Sequence, residues 1–212
     1  ATALPWNTET AGTLLYQGSM DTFTVSATAG DDMHFRMGAI YMPDLILFGP
    51  DGSELTRNTN NGIAELSVTA PTTGTYTVLA GDGYGYYTGQ YGITVVSLEN
   101  AMHLPYGVET ADAITVYGGF DAYSLPATAG DHLFFRMGGS GLYPELVLYS
   151  PTGTVLATNW TVNVAEISLT VPETGTYLLT AQSYSSTHTG PYGIFAQRVN
   201  APENATALPW NT

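Results

Sequence analysis

Acidic residues are the groups in this chain that could do chemistry, because two similar halves of the sequence keep them at matching positions. The matched pairs are Glu9 and Glu109, Asp21 and Asp121, Asp31 and Asp131, Asp44 and Glu145, and Glu65 and Glu166. Clustered carboxylates, with amide and carbonyl oxygens, supply the hard ligands that Ca²⁺ requires. The same acids could instead cap turns and keep the surface soluble, so both interpretations stay open.

Histidine and serine chemistry, in contrast, does not follow the repeat. Each histidine faces a different residue type in the other half: His34 faces Phe134, His132 faces Asp32, His103 faces Ala3 and His188 faces Tyr87. A histidine-based triad or zinc site needs convergent partners, and no serine stands in a Gly-x-Ser-x-Gly pattern. We therefore predict that the chain is not an enzyme.

Two other features could bind partners. Arg36 and Arg136 occupy matching strands, and we expect each to form a structural ion pair with the Asp44/Glu145 or the Asp21/Asp121 position. The segment 81–91 is a Gly- and Tyr-rich hairpin whose tyrosines could stack on sugars or on another copy. Ordinary loop tyrosines are the alternative.

Composition narrows the partners further. The chain has 212 residues, of which 44% are hydrophobic, and its formal net charge is −14, with 18 acids, four arginines and no lysine. Nucleic acid and anionic membranes are poor partners for such a surface, since phosphate binding needs a basic face. No cysteine is present, and no apolar run reaches the length of a membrane span.

Two N-glycosylation sequons begin at Asn159 and Asn204. Together with the lysine-free acidic composition, they favour an extracellular or cell-surface location and predict sugar at these asparagines. Because turn signals precede Asn159, we expect its side chain to point to solvent.

The chain is repetitive at two levels. Residues 1–8, Ala-Thr-Ala-Leu-Pro-Trp-Asn-Thr, recur without change at 205–212, as in one period cut from a longer tandem array. Inside this period the halves share diverged motifs, such as Phe35-Arg-Met-Gly38 and Phe135-Arg-Met-Gly138. We predict domains at 1–100 and 101–202, with 203–212 as the start of the next repeat.

The local pattern is β-type throughout. Apolar residues alternate with small polar ones around Phe23 and Tyr123, short apolar runs occur at 45–48 and 146–149, and Pro/Gly turns follow both runs. Regularly spaced short strands favour an antiparallel β-sandwich. The predicted fold is all-β, with two tandem β-sandwich domains arranged as beads on a string.

The order of motifs resembles the bacterial pre-peptidase C-terminal domain. The motifs are Asp21-x-Phe, Ala29-Gly-Asp, Asp44-Leu-x-Leu, Pro50-Asp-Gly and Thr73-Gly-Thr-Tyr, and they are met again in the second half. The resemblance implies a jelly-roll-like sandwich that is often stabilised by calcium. Carried over by position, it nominates as calcium ligands Glu99, Asn100 and Asp121, with Asp21 for the first domain and Glu203 and Asn204 for a following one.

These observations predict a non-enzymatic structural repeat unit of an extracellular filament, stalk or adhesin shaft. Neighbouring copies would join head to tail, with Trp6, Tyr106 and Trp210 packing between neighbours. The alternative is a glycan- or matrix-binding module appended to a secreted enzyme.

Overall fold

The computed structural model describes residues 1–208, which form β-strands joined by turns. In the first half the strands are β1 (Thr2–Ala3), β2 (Thr10–Leu14), β3 (Met20–Ala27), β4 (Asp32–Ala39), β5 (Pro43–Phe48), β6 (Glu54–Thr59), β7 (Ile63–Thr69), β8 (Gly74–Asp82) and β9 (Gly89–Val96). In the second half they are β10 (Met102–His103), β11 (Glu109–Ile114), β12 (Phe120–Ala127), β13 (His132–Gly139), β14 (Pro144–Tyr149), β15 (Val155–Trp160), β16 (Val164–Thr170), β17 (Gly175–Ser183) and β18 (Gly190–Arg198).

Each half folds into two sheets that face each other. The first half has a five-stranded sheet in the order β1-β3-β8-β5-β6 and a four-stranded sheet in the order β2-β9-β4-β7. The second half repeats both orders as β10-β12-β17-β14-β15 and β11-β18-β13-β16. Pairing is antiparallel except where β1 joins β3 and β10 joins β12. The predicted all-β fold with two tandem sandwich units is confirmed.

Each sandwich has its own core, built by the alternation seen in the sequence. In β3, Phe23 and Val25 point inward between half-buried threonines, and they pack with Phe35 and Ile93 of the facing sheet. The turn after β5 closes as its composition predicts, since the Gly52 amide donates to the Gly49 carbonyl at 3.0 Å and Gly52 has φ of 81°. The predicted domain limits at 100 and 202 remain predictions, and β9 ends at Val96 while β10 begins at Met102.

The two sandwiches also pack against each other. A separate apolar cluster joins Val96 of β9 to Phe120 and Ala122 of β12 and Leu178 of β17. The four-stranded sheet of the first domain and the five-stranded sheet of the second therefore contact each other through their outer faces. This packing changes the burial of equivalent strands. β4 is buried on both faces, whereas its counterpart β13 is buried on one.

Gly38 and Gly118 bring the two backbones together at this interface. A Cβ on Gly38 would overlap the backbone of Gly118, because the two backbone segments lie too close together to leave room for a side-chain carbon. At Gly138, the counterpart of Gly38 in the second domain, the nearest atom to a Cβ would be Val164 Cγ2 at 3.6 Å, an ordinary contact. Gly38 and Gly138 therefore form a matched pair, because Gly38 lies at the interface and Gly138 lies away from it.

We predict that Gly38→Ala destabilises the protein and Gly138→Ala does not. The added methyl group at position 38 must push the domains apart, at a cost of roughly 1–3 kcal/mol, whereas at position 138 it has room. Thermal unfolding of both variants measures the difference, and limited proteolysis shows whether the domains have separated. Equal effects of the two substitutions would contradict the interface.

Candidate functional site

The first eight residues form a clamp that joins the two sheets of the first domain. Thr2 and Ala3 pair with β3 and form the edge of its sheet, and the Leu4 amide donates to the Thr24 carbonyl at 2.9 Å. Leu4 itself is only 3% exposed and belongs to the core. Burying a leucine side chain of this kind stabilises a fold by about 1.5–3 kcal/mol.

The second half of the clamp reaches the other sheet. Trp6 forms a parallel bridge with Val95 of β9, and its indole Nε1 donates to the Ser26 carbonyl at 3.3 Å. The Asn7 amide donates to the Val95 carbonyl at 2.8 Å. The segment is thus hydrogen-bonded to β3 at one end and to β9 at the other.

The second domain repeats this clamp with residues 102–107. The Leu104 amide donates to the Ser124 carbonyl at 3.0 Å, and Leu104 is fully buried. Tyr106 bridges to Ala196, and its hydroxyl donates to the Pro126 carbonyl at 3.0 Å. The expectation that Trp6 and Tyr106 pack between neighbouring domains needs correction. Both aromatic rings pack on the core of their own domain, because the clamp turns them inward.

The repeated octapeptide has a different environment at the far end of the chain. Residues 205–208 are exposed, and Leu208, the counterpart of Leu4, is 85% exposed. Trp210, the third predicted interface residue, lies outside the described residues. The same leucine of the repeat thus meets two environments in this chain, buried at position 4 and open to solvent at position 208.

The residues just before this octapeptide fold back on the second domain. The Asn204 side-chain amide donates to the Tyr106 carbonyl at 3.2 Å, and Glu203 pairs with Arg198. The Arg198 guanidinium in turn lies 5.0 Å from the centre of the Tyr106 ring. Glu203 and Asn204 therefore already have partners within the chain.

The nominated calcium ligands point to separate partners. The Asn100 side-chain amide donates to Ser97 Oγ at 2.8 Å, and Glu99 beside it is exposed. Asp121 Oδ2 accepts from the Tyr192 hydroxyl at 2.6 Å, and Asp21 Oδ2 accepts from the Tyr91 hydroxyl at 2.5 Å. Across residues 1–208, no three His, Cys, Asp or Glu side chains gather in an arrangement able to hold a metal. As arranged, these residues do not form a ligand set for calcium.

Asp121 instead belongs to a group of acids at the domain interface. Burial raises the pKa of its carboxyl to about 7; the hydrogen bond from Tyr192 opposes this, and the charges of Asp112 and Glu9 add to it. Glu9 comes from the first domain, and its Oε2 accepts from the Thr115 amide of the second at 2.5 Å. Burial also raises the pKa of Glu9. Three acids from both domains thus influence one another across the junction.

The ion pairs of the matched arginines differ from the expected ones. Arg36 Nε lies 3.3 Å from Glu65 Oε1, and Arg36 Nη2 lies 3.9 Å from Glu145 Oε2 of the other domain. Arg136 Nη1 pairs with Glu166 Oε1 at 3.1 Å. Of the expected positions, only Glu145 pairs with one of the matched arginines, and it pairs with the arginine of the other domain. The other partners, Glu65 and Glu166, lie directly opposite the arginines on the neighbouring strand.

Asn159 lies within β15 and not in the hairpin that precedes it. Its side chain is half-buried, and Oδ1 accepts from the Glu166 amide at 3.2 Å. The expectation that it points freely to solvent is therefore wrong, while its glycosylation remains a prediction.

The tyrosine hairpin is exposed as its composition suggests. The rings of Tyr84 and Tyr86 stack with centroids 5.4 Å apart, and those of Tyr86 and Tyr87 lie 4.6 Å apart. Asp82 Oδ2 accepts from the Tyr86 and Tyr87 amides at 3.0 and 2.9 Å, which fixes the turn. The result is a small aromatic patch facing solvent.

Sequence reasoning missed the interface between the domains and the cleft beside it. The available signal was the divergence of outward-facing positions between the two copies. Thr77, Leu79 and Gly81 of β8 are replaced by Leu178, Thr180 and Gln182 of β17. A sequence repeat compared only for its shared residues hides such differences.

Known proteins offer limited comparison. No family model matches the chain, and no curated protein matches it. Among solved structures, it is similar to the pre-peptidase C-terminal domain of collagenase from Bacillus anthracis, with 16% identity over 46% of this chain and 94% of that one, and a TM-score of 0.40. That is the kind of domain which the motif order resembles.

Two further structures show the range of similarity. The g-type lysozyme inhibitor PliG of Aeromonas hydrophila, a periplasmic protein, is 17% identical over 45% of this chain and 92% of its own, with a TM-score of 0.38. The PBSX exported protein XepA is 10% identical over 89% and 86%, with a TM-score of 0.31. In residues 1–208 no helix is long and apolar enough to cross a membrane.

We predict that Asp121→Asn stabilises the protein more at pH 8 than at pH 4. The folded-state pKa of about 7 lies well above the usual pKa of an aspartate carboxyl, so the folded state binds more protons between these two pKa values. The free energy of unfolding contributed by this group therefore falls as pH rises through that window. Asparagine removes the ionisation and keeps an acceptor for Tyr192.

Urea unfolding of both proteins at the two pH values measures this effect. We expect the variant to gain roughly 1–3 kcal/mol over the wild type at pH 8 compared with pH 4. A difference that does not change with pH would show that Asp121 ionises as it does in the unfolded chain.

Proposed function

We propose that this chain is a non-enzymatic structural unit of an extracellular filament, stalk or adhesin shaft, joined head to tail with copies of itself. The observation that carries the proposal is the octapeptide. At 1–8 it clamps a domain, and at 205–208 the same residues are exposed. A segment whose leucine is buried in one setting and exposed in the other can dock on the first domain of a further copy.

The junction inside the chain supports this proposal, because it shows how such a segment enters a domain. Glu99-Asn100-Ala101 precedes the clamp of the second domain, and Glu203-Asn204-Ala205 precedes the exposed octapeptide. Leu104, which follows the first tripeptide, is fully buried. By analogy, Leu208 would take the position of Leu4 in the next unit, either as one continuous chain or by strand exchange.

We call the place on β3 and β9 that residues 1–8 occupy the clamp groove. Engineered cysteines test whether residues 205–208 can occupy the clamp groove of another copy. Thr24 of β3 pairs with Ala3 in the clamp, so Ala207, the counterpart of Ala3, should meet Thr24 of the acceptor. The acceptor carries Thr24→Cys and lacks residues 1–8, and the donor carries Ala207→Cys. Since the chain has no cysteine of its own, any disulfide between the two must come from this pair. We expect a cross-linked dimer under mild oxidation.

A donor with Ala205→Cys in place of Ala207→Cys is the matched control. Its cysteine is two positions out of register, so it should cross-link much less, because a disulfide requires Cα atoms about 4.4–6.8 Å apart. Equal cross-linking by both donors, or by neither, would contradict docking in the clamp groove. Adding donor should also raise the melting temperature of the shortened acceptor, since it restores the missing core residues.

The second candidate function is a glycan- or matrix-binding module appended to a secreted enzyme. The exposed stack of Tyr84, Tyr86 and Tyr87 favours it, because aromatic rings with one polar edge are common at binding surfaces. The second domain has no such stack at the equivalent place, where Tyr184 pairs with Trp160 instead. This alternative needs no contact between copies, so the cross-linking experiment distinguishes the two.

Calcium binding by Glu99, Asn100 and Asp121 remains a proposal that rests on the family resemblance. Since Asn100 and Asp121 have other partners in this structure, the linker would have to move to bring their oxygens together. Thermal unfolding with calcium and then with a chelator tests it. If calcium binds, it should raise stability by about 2.7 kcal/mol at a hundredfold excess over its dissociation constant, and Asp121→Asn should abolish the gain. No response to chelator would assign these acids to the surface and the interface.

Extracellular location and glycosylation at Asn159 and Asn204 belong to the same proposal. The composition supports both, with no lysine, a net charge of −14 and two sequons. Glycopeptide mapping of native material tests the sequons, and Asn204 is the weaker site, because its amide already contacts the Tyr106 carbonyl.

A further inference from the structure

A cleft of about 950 Å³ opens between the two domains beside their interface. The first domain contributes Arg36, Asn58 and Glu65 to its lining, and the second contributes residues from β14, β17 and the turn after β17, including Tyr143 and Tyr184. The volume falls within the range of pockets that hold small molecules. The cleft exists only because the domains pack in this one arrangement.

Arg36 lies in the wall of this cleft, and two of its three side-chain nitrogens lack a hydrogen-bond partner among the described residues. Its side chain is 2% exposed, and Nη2 donates to the Ser183 carbonyl of the second domain at 2.8 Å. Nε faces Glu65. Both Nε and Nη1 are buried and have no hydrogen-bond partner among the described residues. A buried donor without a partner costs free energy unless something else satisfies it.

The equivalent arginine of the second domain shows that this environment is specific to the cleft. Arg136 occupies the same place in β13, yet its side chain is 57% exposed and pairs with Glu166 alone. The strand motif therefore does not require a buried guanidinium. Arg36 is buried because the second domain covers it.

Asn58 supplies an unpaired acceptor on the same wall. Its Oδ1 is buried without a hydrogen-bond partner among the described residues. In contrast, Oδ1 of its counterpart Asn159 accepts from the Glu166 amide. Two residues that line this cleft, Arg36 and Asn58, thus carry buried donors and a buried acceptor without hydrogen-bond partners among the described residues. A hydroxyl group can satisfy both kinds, because it donates one hydrogen bond and accepts others.

Aromatic rings form the other side of the cleft. Tyr184 stacks on Trp160 with ring centroids 3.9 Å apart and planes 7° apart, and both rings are about half exposed. Tyr143 stacks on His188 at 4.5 Å. These pairs present flat apolar faces with polar edges, a surface that suits the C–H face of a sugar ring. Stacking on a second ring also holds each tyrosine in place before any ligand arrives.

The charges of the cleft select against anions. Glu65 and Glu145 face one guanidinium, and Gln182 donates to Glu145 Oε2 at 2.8 Å. The carboxylates therefore outnumber the cation, on a protein whose net charge is −14. The other polar side chains that line the cleft carry amides and hydroxyls. A ligand rich in hydroxyls and without charge fits this set best.

We propose that the cleft between the domains binds a neutral oligosaccharide. Arg36 Nη1 and Asn58 Oδ1 are covered in this structure, so the side chains around them would shift to let vicinal hydroxyls pair with both atoms. A sugar face would lie on Tyr184. This site is distinct from the tyrosine hairpin at 84–87, and it does not depend on assembly into a filament.

The test is binding of neutral linear hexasaccharides of glucose, mannose and galactose by the intact chain, measured by calorimetry beside a hexasaccharide of uronic acid. We expect at least one neutral sugar to bind and the uronic acid to bind at least tenfold more weakly. Tyr184→Ala should weaken the best neutral sugar roughly tenfold, equivalent to about 1.4 kcal/mol. Tyr86→Ala, which removes a ring of the hairpin, should leave affinity unchanged.

Asn58→Ala provides a second variant that is compatible with folding, because it removes a polar atom that has no hydrogen-bond partner within residues 1–208. It should weaken sugar binding without lowering the melting temperature, whereas Asn159→Ala, its matched control outside the cleft, should leave binding unchanged. Binding lost with Tyr86→Ala but kept with Tyr184→Ala would overturn the proposal in favour of the hairpin. Stronger binding of the uronic acid, or no binding by any neutral sugar, would also overturn it.

Discussion

The contact on which the rest of this structure depends is the burial of Arg36 between two sandwich domains. A guanidinium loses its hydration there, and it is tolerated because Glu65, Glu145 and the Ser183 carbonyl surround it. Two of these partners come from the second domain, so the charge can be satisfied only when the domains meet in this orientation. The apolar cluster around Val96 and Phe120 supplies buried apolar surface between the domains, while the contacts of Arg36 fix how the domains are oriented. The interface, the cleft and the shared acid group all follow from that geometry.

The internal repeat makes this dependence visible. β4 and β13 carry the same Phe-Arg-Met-Gly motif, pair with equivalent strands, and yet differ in burial on their outer faces. The shared motif cannot account for the difference between Arg36, which is buried, and Arg136, which is exposed. What differs is the partner: the outer face of β4 meets β17, where Leu178 and Gln182 replace smaller or differently shaped residues of β8. Divergence between the two copies is thus concentrated where they touch.

Much of the fold could be predicted because each strand carries its own signal. Alternation in β3 and the Pro/Gly turn after β5 specify local structure within a few residues. The interface could not be predicted in this way, since its outward positions include Thr94, Thr180 and Gln182, residue types that ordinarily face water. The sequence indicated Glu145 as an ion-pair position, but it did not indicate that Glu145 pairs with the arginine of the other domain. Glu145 lies more than a hundred positions away and in the other domain, beyond the reach of any local pattern.

The unequal outer faces of β4 and β13 have a mechanical consequence for any array of these units. Within one unit, sheet packing and the Gly38–Gly118 contact join two domains into a single stiff segment. The outer face of β13, with Arg136 exposed, has no matching partner in the chain described here. Bending and stretching would therefore concentrate at every second junction, and a fibre would behave as a row of two-domain rods with joints between them. Its flexibility would be set by the joints, and its spacing by the rods.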